Sequence, residues 1–239
     1  MADGIYVSMC GAQARTEELD AIADNLANAS TPGFRASRPA FESFLPKGAG
    51  PASDKHYPAA VGAGFDLRPG PTQRTDNPLD VVPAEGLYLM VQTPGGTTAY
   101  TRDGRLTVDG DRRLLVDGQQ VLSAEGEPLT LPSTGTPRVS ADGSVWVDDE
   151  RAGDLGLARL QGPVDRVGPA LLAPAAGGSA EPVTEGASVE SGLVELGNVP
   201  AVESMVELIS AQRSYDASMQ AIQTYNQLNQ RATEVARAK

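Results

Sequence analysis

From Ile5 onward, apolar and small residues recur at alternating spacings of four and three: Ile5, Met9, Ala12, Thr16, Leu19, Ala23 and Leu26, with Ile22 beside them. The opposite face carries Arg15, Glu17, Glu18, Asp20 and Asp24. This pattern predicts an amphipathic helix with a narrow, coiled-coil-like stripe. The far end repeats it through Met205, Leu208, Gln212, Tyr215, Met219, Ile222, Asn226 and Asn229. Between Val199 and Ala238 there is no glycine, and Pro200 is the only proline. The segment therefore reads as about 35 helical residues, with Pro200 in the first turn and Asn198 as its cap.

The first helix is predicted to stop over "NLANASTPGFRAS", Asn25 to Ser37. Pro32 biases Thr31 away from helical backbone, and Gly33 permits a sharp turn. Phe34 then packs back, with Arg35 facing solvent or an acidic neighbour. Asn25 and Asn28, three apart, share a polar face on which amides can hydrogen-bond a neighbouring helix.

Between the two ends the period changes to short apolar runs broken by turn dipeptides. Asp-Gly occurs at 103–104, 109–110, 117–118 and 142–143. Flanked by alternating residues, it signals hairpins, because a type I′ turn needs positive φ at both central positions. Trp146, alternating with valines, is expected to anchor one face of this domain. Two stretches read as connectors: one dense in glycine and proline, the other small and acidic. The predicted fold is α+β, with long terminal helices pairing as a coiled-coil-like core domain around a central all-β domain of short antiparallel strands. The boundaries are 1–36 for the first helix and exit turn, 37–75 for the first connector, 76–165 for the β domain, 166–197 for the second connector and 198–239 for the last helix.

Composition narrows the function. Residues 1–46 carry three basic and six acidic side chains, residues 47–199 twelve and twenty-one, and residues 200–239 four and four, so the net charge of -12 splits into -3, -9 and 0. An acidic middle repels phosphate backbones, which argues against nucleic acid and anionic membrane surfaces as partners. No basic stripe with interleaved aromatics offers a stacking platform. Aromatics are only 5% of the residues, which points to a modest core and much surface given to partners. Nothing approaches an apolar membrane-spanning length, and no secretory leader pattern opens the chain.

The catalytic inventory is thin. His56 is the only histidine and falls in the Gly/Pro-rich stretch, and Cys10 is the only cysteine. Neither a histidine-based triad nor an internal disulfide is therefore available. "GAGPASDK" lacks the spacing of a phosphate loop, the Asp-Gly repeats do not fit a calcium loop, and Asp148, Asp149 and Glu150 read as a solvated turn. The sequon "NAS" at 28–30 reads as a helix ending. No catalytic, cofactor-binding, metal or small-molecule site is expected.

Three blocks, in order, carry a resemblance to a known group. "LDAIADNLANASTPGFRAS" resembles the N-terminal signature of bacterial flagellar rod and hook proteins. "TDNPLDVVPAEGLYLMV", followed by "AYTRDGRLTVDGDRRLLVDGQQVL", resembles their central block, and "GLVELGNVPAVESMVELISAQRSYDASMQAIQT" their C-terminal signature. The chain departs from the family pattern after Leu79-Asp80, where Pro83 removes a strand donor, and at Gly197, where a serine is usual. The spelling "NASTPGFRA" and the chain length favour the proximal-rod type over a distal-rod or hook type.

The resemblance implies a non-enzymatic axial subunit of the basal-body rod in the periplasm. It would be exported through the flagellar type III apparatus without a cleaved leader, and would assemble with copies of itself and other rod and hook proteins. It also implies subunit-interface positions along the helical seam and exit turn: Leu19, Ile22, Asn25, Leu26, Asn28, Pro32, Gly33, Phe34, Met205, Leu208, Ile209, Gln212, Arg213, Tyr215, Met219 and Ile222. Polar residues in a thin seam fix register and partner at the expense of stability. Two alternatives remain: a soluble helical-hairpin adaptor or export-associated module that never enters the basal body, and a hydrolase using the acidic middle.

Overall fold

The computed structural model describes residues 2–44, 57–132, 135–184 and 186–237, with residues 2–8, 39–44, 57–63, 229 and 232–237 described at the level of the backbone. His56 and the side chains of Ile5 and Asn229 lie outside that description. Among the described residues there are two helices and eighteen strands. The chain divides into two compact units. Met1–Ala27, Ser37–Gly64 and Pro200–Lys239 form the first, and Asn28–Ala36 with Phe65–Val199 form the second.

In the first unit, helix α1 (Ala2–Ala27) lies against helix α2 (Ala201–Arg237), and strand β1 (Ser37–Phe44) pairs with β2 (Tyr57–Phe65). The expected coiled-coil-like helical core is not what forms, and the protein is mostly β. Among the described side chains of the helices, the buried positions are few and all but one are small: Ala12, Ile22, Ser204 and Ala211. Larger apolar residues assigned to the seam, Met9 and Met205, are exposed, and Leu228 is exposed too. With so little apolar area removed from water between the helices, they cannot supply the main core.

That core lies in the second unit. Its strands are β3 (Thr72–Arg74), β4 (Val81–Pro83), β5 (Leu87–Gln92), β6 (Thr98–Thr101), β7 (Leu106–Val108), β8 (Leu114–Val116), β9 (Gln119–Val121), β10 (Pro137–Val139) and β11 (Ser144–Val147). The series continues with β12 (Glu150–Asp154), β13 (Leu157–Gln161), β14 (Val164–Gly168), β15 (Leu171–Pro174), β16 (Ser179–Pro182), β17 (Val189–Ser191) and β18 (Leu193–Glu195). A nine-stranded sheet runs β14-β15-β6-β5-β9-β8-β7, with β13 joining β5 to β16. The order β10-β11-β12 makes a second sheet, and the pairs β17-β4 and β18-β3 close the list, all antiparallel.

Strand β5 explains the unbroken apolar run Leu87–Val91. Leu87, Leu89 and Val91 enter the larger buried cluster, whereas Tyr88 and Met90 enter the smaller one with Tyr100, Leu122, Ala158 and Leu172. The two faces of one strand thus serve two cores, which is why alternation in polarity is missing from it. Pro83 ends β4, and a turn with Gly86 at φ 76° leads into β5, with the Leu87 amide donating to the Ala84 carbonyl at 3.0 Å.

Of the four Asp-Gly pairs, only Asp117-Gly118, between β8 and β9, has positive φ at both residues (47° and 75°). Asp142-Gly143 turns β10 into β11 with the glycine alone in that region, and the Asp109 turn uses Arg112 at φ 60°. Asp103-Gly104 is no hairpin. Asp103 is buried, and the Gly104 carbonyl accepts the Val81 amide at 2.9 Å. Trp146 takes the half-buried face of β11, its Nε1 donating to Ser144 Oγ at 2.8 Å, while Val145 and Val147 enter the core.

Residues 166–197, read from composition as connector, carry β15 to β18 and part of β14. Two of their valines sit where the ladder needs them: Val189 opposite Pro83 and Val194 opposite Gln73 are both buried.

Candidate functional site

Among the described residues no group of His, Cys, Asp and Glu could hold a metal ion, and no helix is long and apolar enough to cross a membrane. The most constrained region is the exit turn that follows α1. Pro32, Gly33, Phe34 and Arg35 are all buried. The Thr31 amide donates to the Asn28 carbonyl at 3.0 Å, and Thr31 Oγ1 donates to Asn28 Oδ1 at 3.2 Å. Thus Asn28 shapes its own turn. Asn25, back on α1, pairs with the backbone of Ser37: its Oδ1 accepts the Ser37 amide and its Nδ2 donates to the Ser37 carbonyl, both at 2.8 Å. One side-chain amide here replaces a neighbouring strand.

Gly33, at φ 68°, donates its amide to the Glu195 carbonyl at 2.9 Å. A Cβ on it would lie 2.1 Å from the Asp103 amide nitrogen, so the backbones of 33 and 102–103 approach more closely than any side chain allows. Phe34 is fully buried, with the Arg166 guanidinium 4.3 Å from its ring centre and 5.0 Å from that of Phe65. Arg166 also donates to the Arg35 carbonyl. One cation between two rings holds two distant chain segments to β14.

Arg35 does not face solvent. It is 2% exposed and pairs with Glu195, itself 0% exposed, at 2.5 Å. Glu195 Oε1 also accepts the Gly70 amide at 2.9 Å, and Oε2 accepts Arg102 Nε at 2.8 Å and Arg102 Nη2. Arg102, 4% exposed, donates its Nη1 to the carbonyls of Ala84 at 2.8 Å and Leu87 at 2.7 Å. The result is a buried Arg-Glu-Arg triad whose members are 160 and 93 residues apart along the pairs. Neither Glu195 nor Arg102 stands out in the sequence, where "LVELGNV" and "YTRDGR" carry no motif of charge pairing.

Asn198 is drawn away from the capping position predicted for it. Its Oδ1 accepts the Ala36 amide at 2.7 Å, and its Nδ2 donates to the carbonyls of Asp66 at 2.7 Å and Arg68 at 3.0 Å. α2 begins at Ala201, where the Pro200 carbonyl accepts the Ser204 amide at 2.9 Å. Gly197 lies against the Ala29 carbonyl, which a Cβ would approach to 2.9 Å.

The remaining seam positions divide by exposure. Leu19, Ile22, Leu26, Leu208, Tyr215, Met219 and Ile222 are buried or half-buried, whereas Met205, Ile209, Gln212 and Arg213 face solvent. Met205 and Ile209 belong to an apolar face of α2 with Val202 and Val206, 76%, 52%, 64% and 52% exposed in the order Val202, Met205, Val206, Ile209. Their spacing of three, four and seven is that of one helical face.

Three family models match this chain: "Flagella basal body rod protein" over residues 5–35, "Flagellar hook protein FlgE/F/G D1 domain" over 85–147, and "Flagellar basal body rod FlgEFG protein C-terminal" over 190–235. The flagellar basal-body rod protein FlgF of Mesorhizobium japonicum is 35% identical over 90% of both chains. The chain belongs to the flagellar basal-body rod protein family. FlgF of Salmonella typhimurium is 30% identical over 98% of both chains, and FlgG of Buchnera aphidicola from Acyrthosiphon pisum is 28% identical over 98% of this chain and 100% of its own. Rod proteins are structural proteins of the basal body and not enzymes.

Asp103 adds a pH dependence to the wall behind Gly33. Burial raises its carboxyl above the ordinary 3.8, against the Arg105 amide and charge, which lower it, and with the Asp117 charge, which raises it. Folding therefore favours the protonated form. Ionised Asp103 costs stability at neutral pH, and that cost fades as pH falls through its folded value towards the ordinary one. Asp103→Asn keeps an acceptor for the Arg105 amide, which Asp103 Oδ1 accepts at 3.0 Å. The substitution should raise the melting temperature at pH 7 and leave it nearly unchanged near pH 4, as thermal melts across that range will read.

Proposed function

We propose that the terminal helices carry this rod subunit into the axial structure through the exposed apolar face of α2. The observation that supports the reading is the run Val202, Met205, Val206 and Ile209, which a free helix in water has no reason to present on one side. The partners are copies of the same chain and other rod and hook proteins. The half-buried seam residues Leu19, Leu26, Leu208, Tyr215, Met219 and Ile222, with Gln212 and Arg213 at its edge, contribute the register of that assembly, and the exit turn sets where the chain leaves it. Within the family the proximal-rod type fits best, since the two relatives at 30% identity or more named above are FlgF proteins. A periplasm-spanning position and export through the flagellar type III apparatus belong to the same reading.

Val206→Asp and Ile209→Asp test it in cells whose own copy is deleted. Burying one such side chain is worth roughly 1.5–3 kcal/mol, and the loss recurs at every copy. Each purified variant should keep the parent's circular dichroism and melting temperature, because the replaced side chains are already in water. Neither should be recovered in isolated basal bodies, and motility should be lost. Normal incorporation of both variants would refute the assignment of this face. A soluble adaptor, by contrast, would leave even the unsubstituted chain absent from basal bodies.

A further inference from the structure

The second unit is joined to the first at 36/37, 64/65 and 199/200, besides the end of α1. Two of these crossings, 36/37 and 64/65, are held on the second unit's side by Asn198, which stands next to the third. Asn198 binds the backbone of Ala36, Asp66 and Arg68, and the Asp66 amide donates to the Ala36 carbonyl at 2.9 Å. Glu195 takes the Gly70 amide and Arg35 through its carboxylate and the Gly33 amide through its carbonyl. Arg166 lies between the rings of Phe34 and Phe65. Phe34 is in neither apolar cluster, and Phe65 packs only at the margin of the smaller one.

We infer that Glu195, Asn198 and Arg166 form a latch that holds the three chain segments leading out of the second unit in one arrangement, and that opening it frees those segments while the nine-stranded sheet stays folded. The two arginines of the triad are not equivalent in this respect. Arg102 keeps two carbonyls at the start of β5 whatever happens to Glu195, so it is the fixed side. Among the described residues Arg35 has only Glu195 and its neighbour's carbonyl, at 3.3 Å, and its buried Nε has no hydrogen-bond partner there, so it is the side that moves. A polar latch also opens in one step, because losing one member strands the buried groups that faced it.

Amide exchange of the full chain, read residue by residue by NMR, tests the latch without reference to assembly. In Asn198→Ala, which strands no charge, the Ala36 amide should exchange about tenfold faster or more, and those of Gly33, Asp66 and Gly70 faster too, while β5, β6 and β9 keep their parent rates. Glu195→Gln should act in the same direction, with its largest effect at Gly70. If Asn198→Ala accelerates β5 as much as Ala36, the cluster is part of the core and the latch is refuted. It is equally refuted if Asn198→Ala leaves all four amides at parent rates. Should Glu195→Gln fail to fold, the outcome for Asn198→Ala decides alone.

Discussion

A Gly33→Ala chain should melt roughly 10 °C below its parent, and a Gly86→Ala chain only slightly below it. Both glycines have positive φ, 68° and 76°, so both variants carry the roughly 1–2 kcal/mol of left-handed backbone. Only at Gly33 does the new Cβ meet other atoms, 2.1 Å from the Asp103 amide nitrogen and 2.4 Å from the Arg102 carbonyl carbon, whereas around Gly86 nothing lies within 4 Å. Backbone cannot rotate aside as a side chain can, so a further 1–3 kcal/mol or so of overpacking falls on Gly33 alone. The comparison isolates the close approach from the conformation. Equal melting temperatures for the two variants would show that the turn yields at no cost, and the exit turn would then lose its claim to a fixed seat.

Leu89→Ala should be the costliest of the simple truncations in the sheet, at about 2–5 kcal/mol. Leu89 is fully buried at the centre of the larger cluster, opposite Thr101 on one neighbour and Leu157 on the other. Its side chain is hemmed in on both sides by paired strands, so the cavity has little room to collapse. Val167→Ala, at a position 53% exposed on β14, should stay within about 0.5 kcal/mol of the parent. Denaturant titration will read both. A Leu89 variant as stable as the Val167 variant would mean that the cluster is not the seat of stability.

The helical period at both ends of the chain is legible from spacing, because it repeats over many turns. Its inward side is not. On α2 the predicted Leu208, Tyr215 and Ile222 are half-buried, but the positions buried most deeply are Ser204 and Ala211, with Met205 and Gln212 outside. Small residues let helix backbones approach, and a reading that ranks positions by hydrophobicity puts them on the wrong face. The same ranking promoted a coiled-coil core that the burial of these residues does not support. In the middle, turn chemistry marks the hairpins at 117–118 and 142–143, while Asp103-Gly104 shares their spelling and is buried against β4. The strands between 164 and 195 are hidden by composition, since glycine, proline, serine and glutamate interrupt their apolar residues, and β16 and β17 carry a single one each. The triad is beyond local reading altogether. Glu195 and Arg102 have ordinary neighbours, and their meaning comes from contacts that only the fold creates.

The double-faced burial of β5 has a further cost when the chain is not folded. Leu87–Val91 holds no charge, no proline and no glycine. An unfolded copy presents it as a segment ready to pair with its like in another copy, which is the hallmark of an aggregation-prone stretch. Pro83 and Glu85 stand just before it and Pro94 just after. These act as gatekeepers, since a proline cannot extend a growing ladder and a carboxylate repels its own kind. The strand with two buried faces in the native sheet is thus also a stretch that the unfolded chain must keep from pairing with its like.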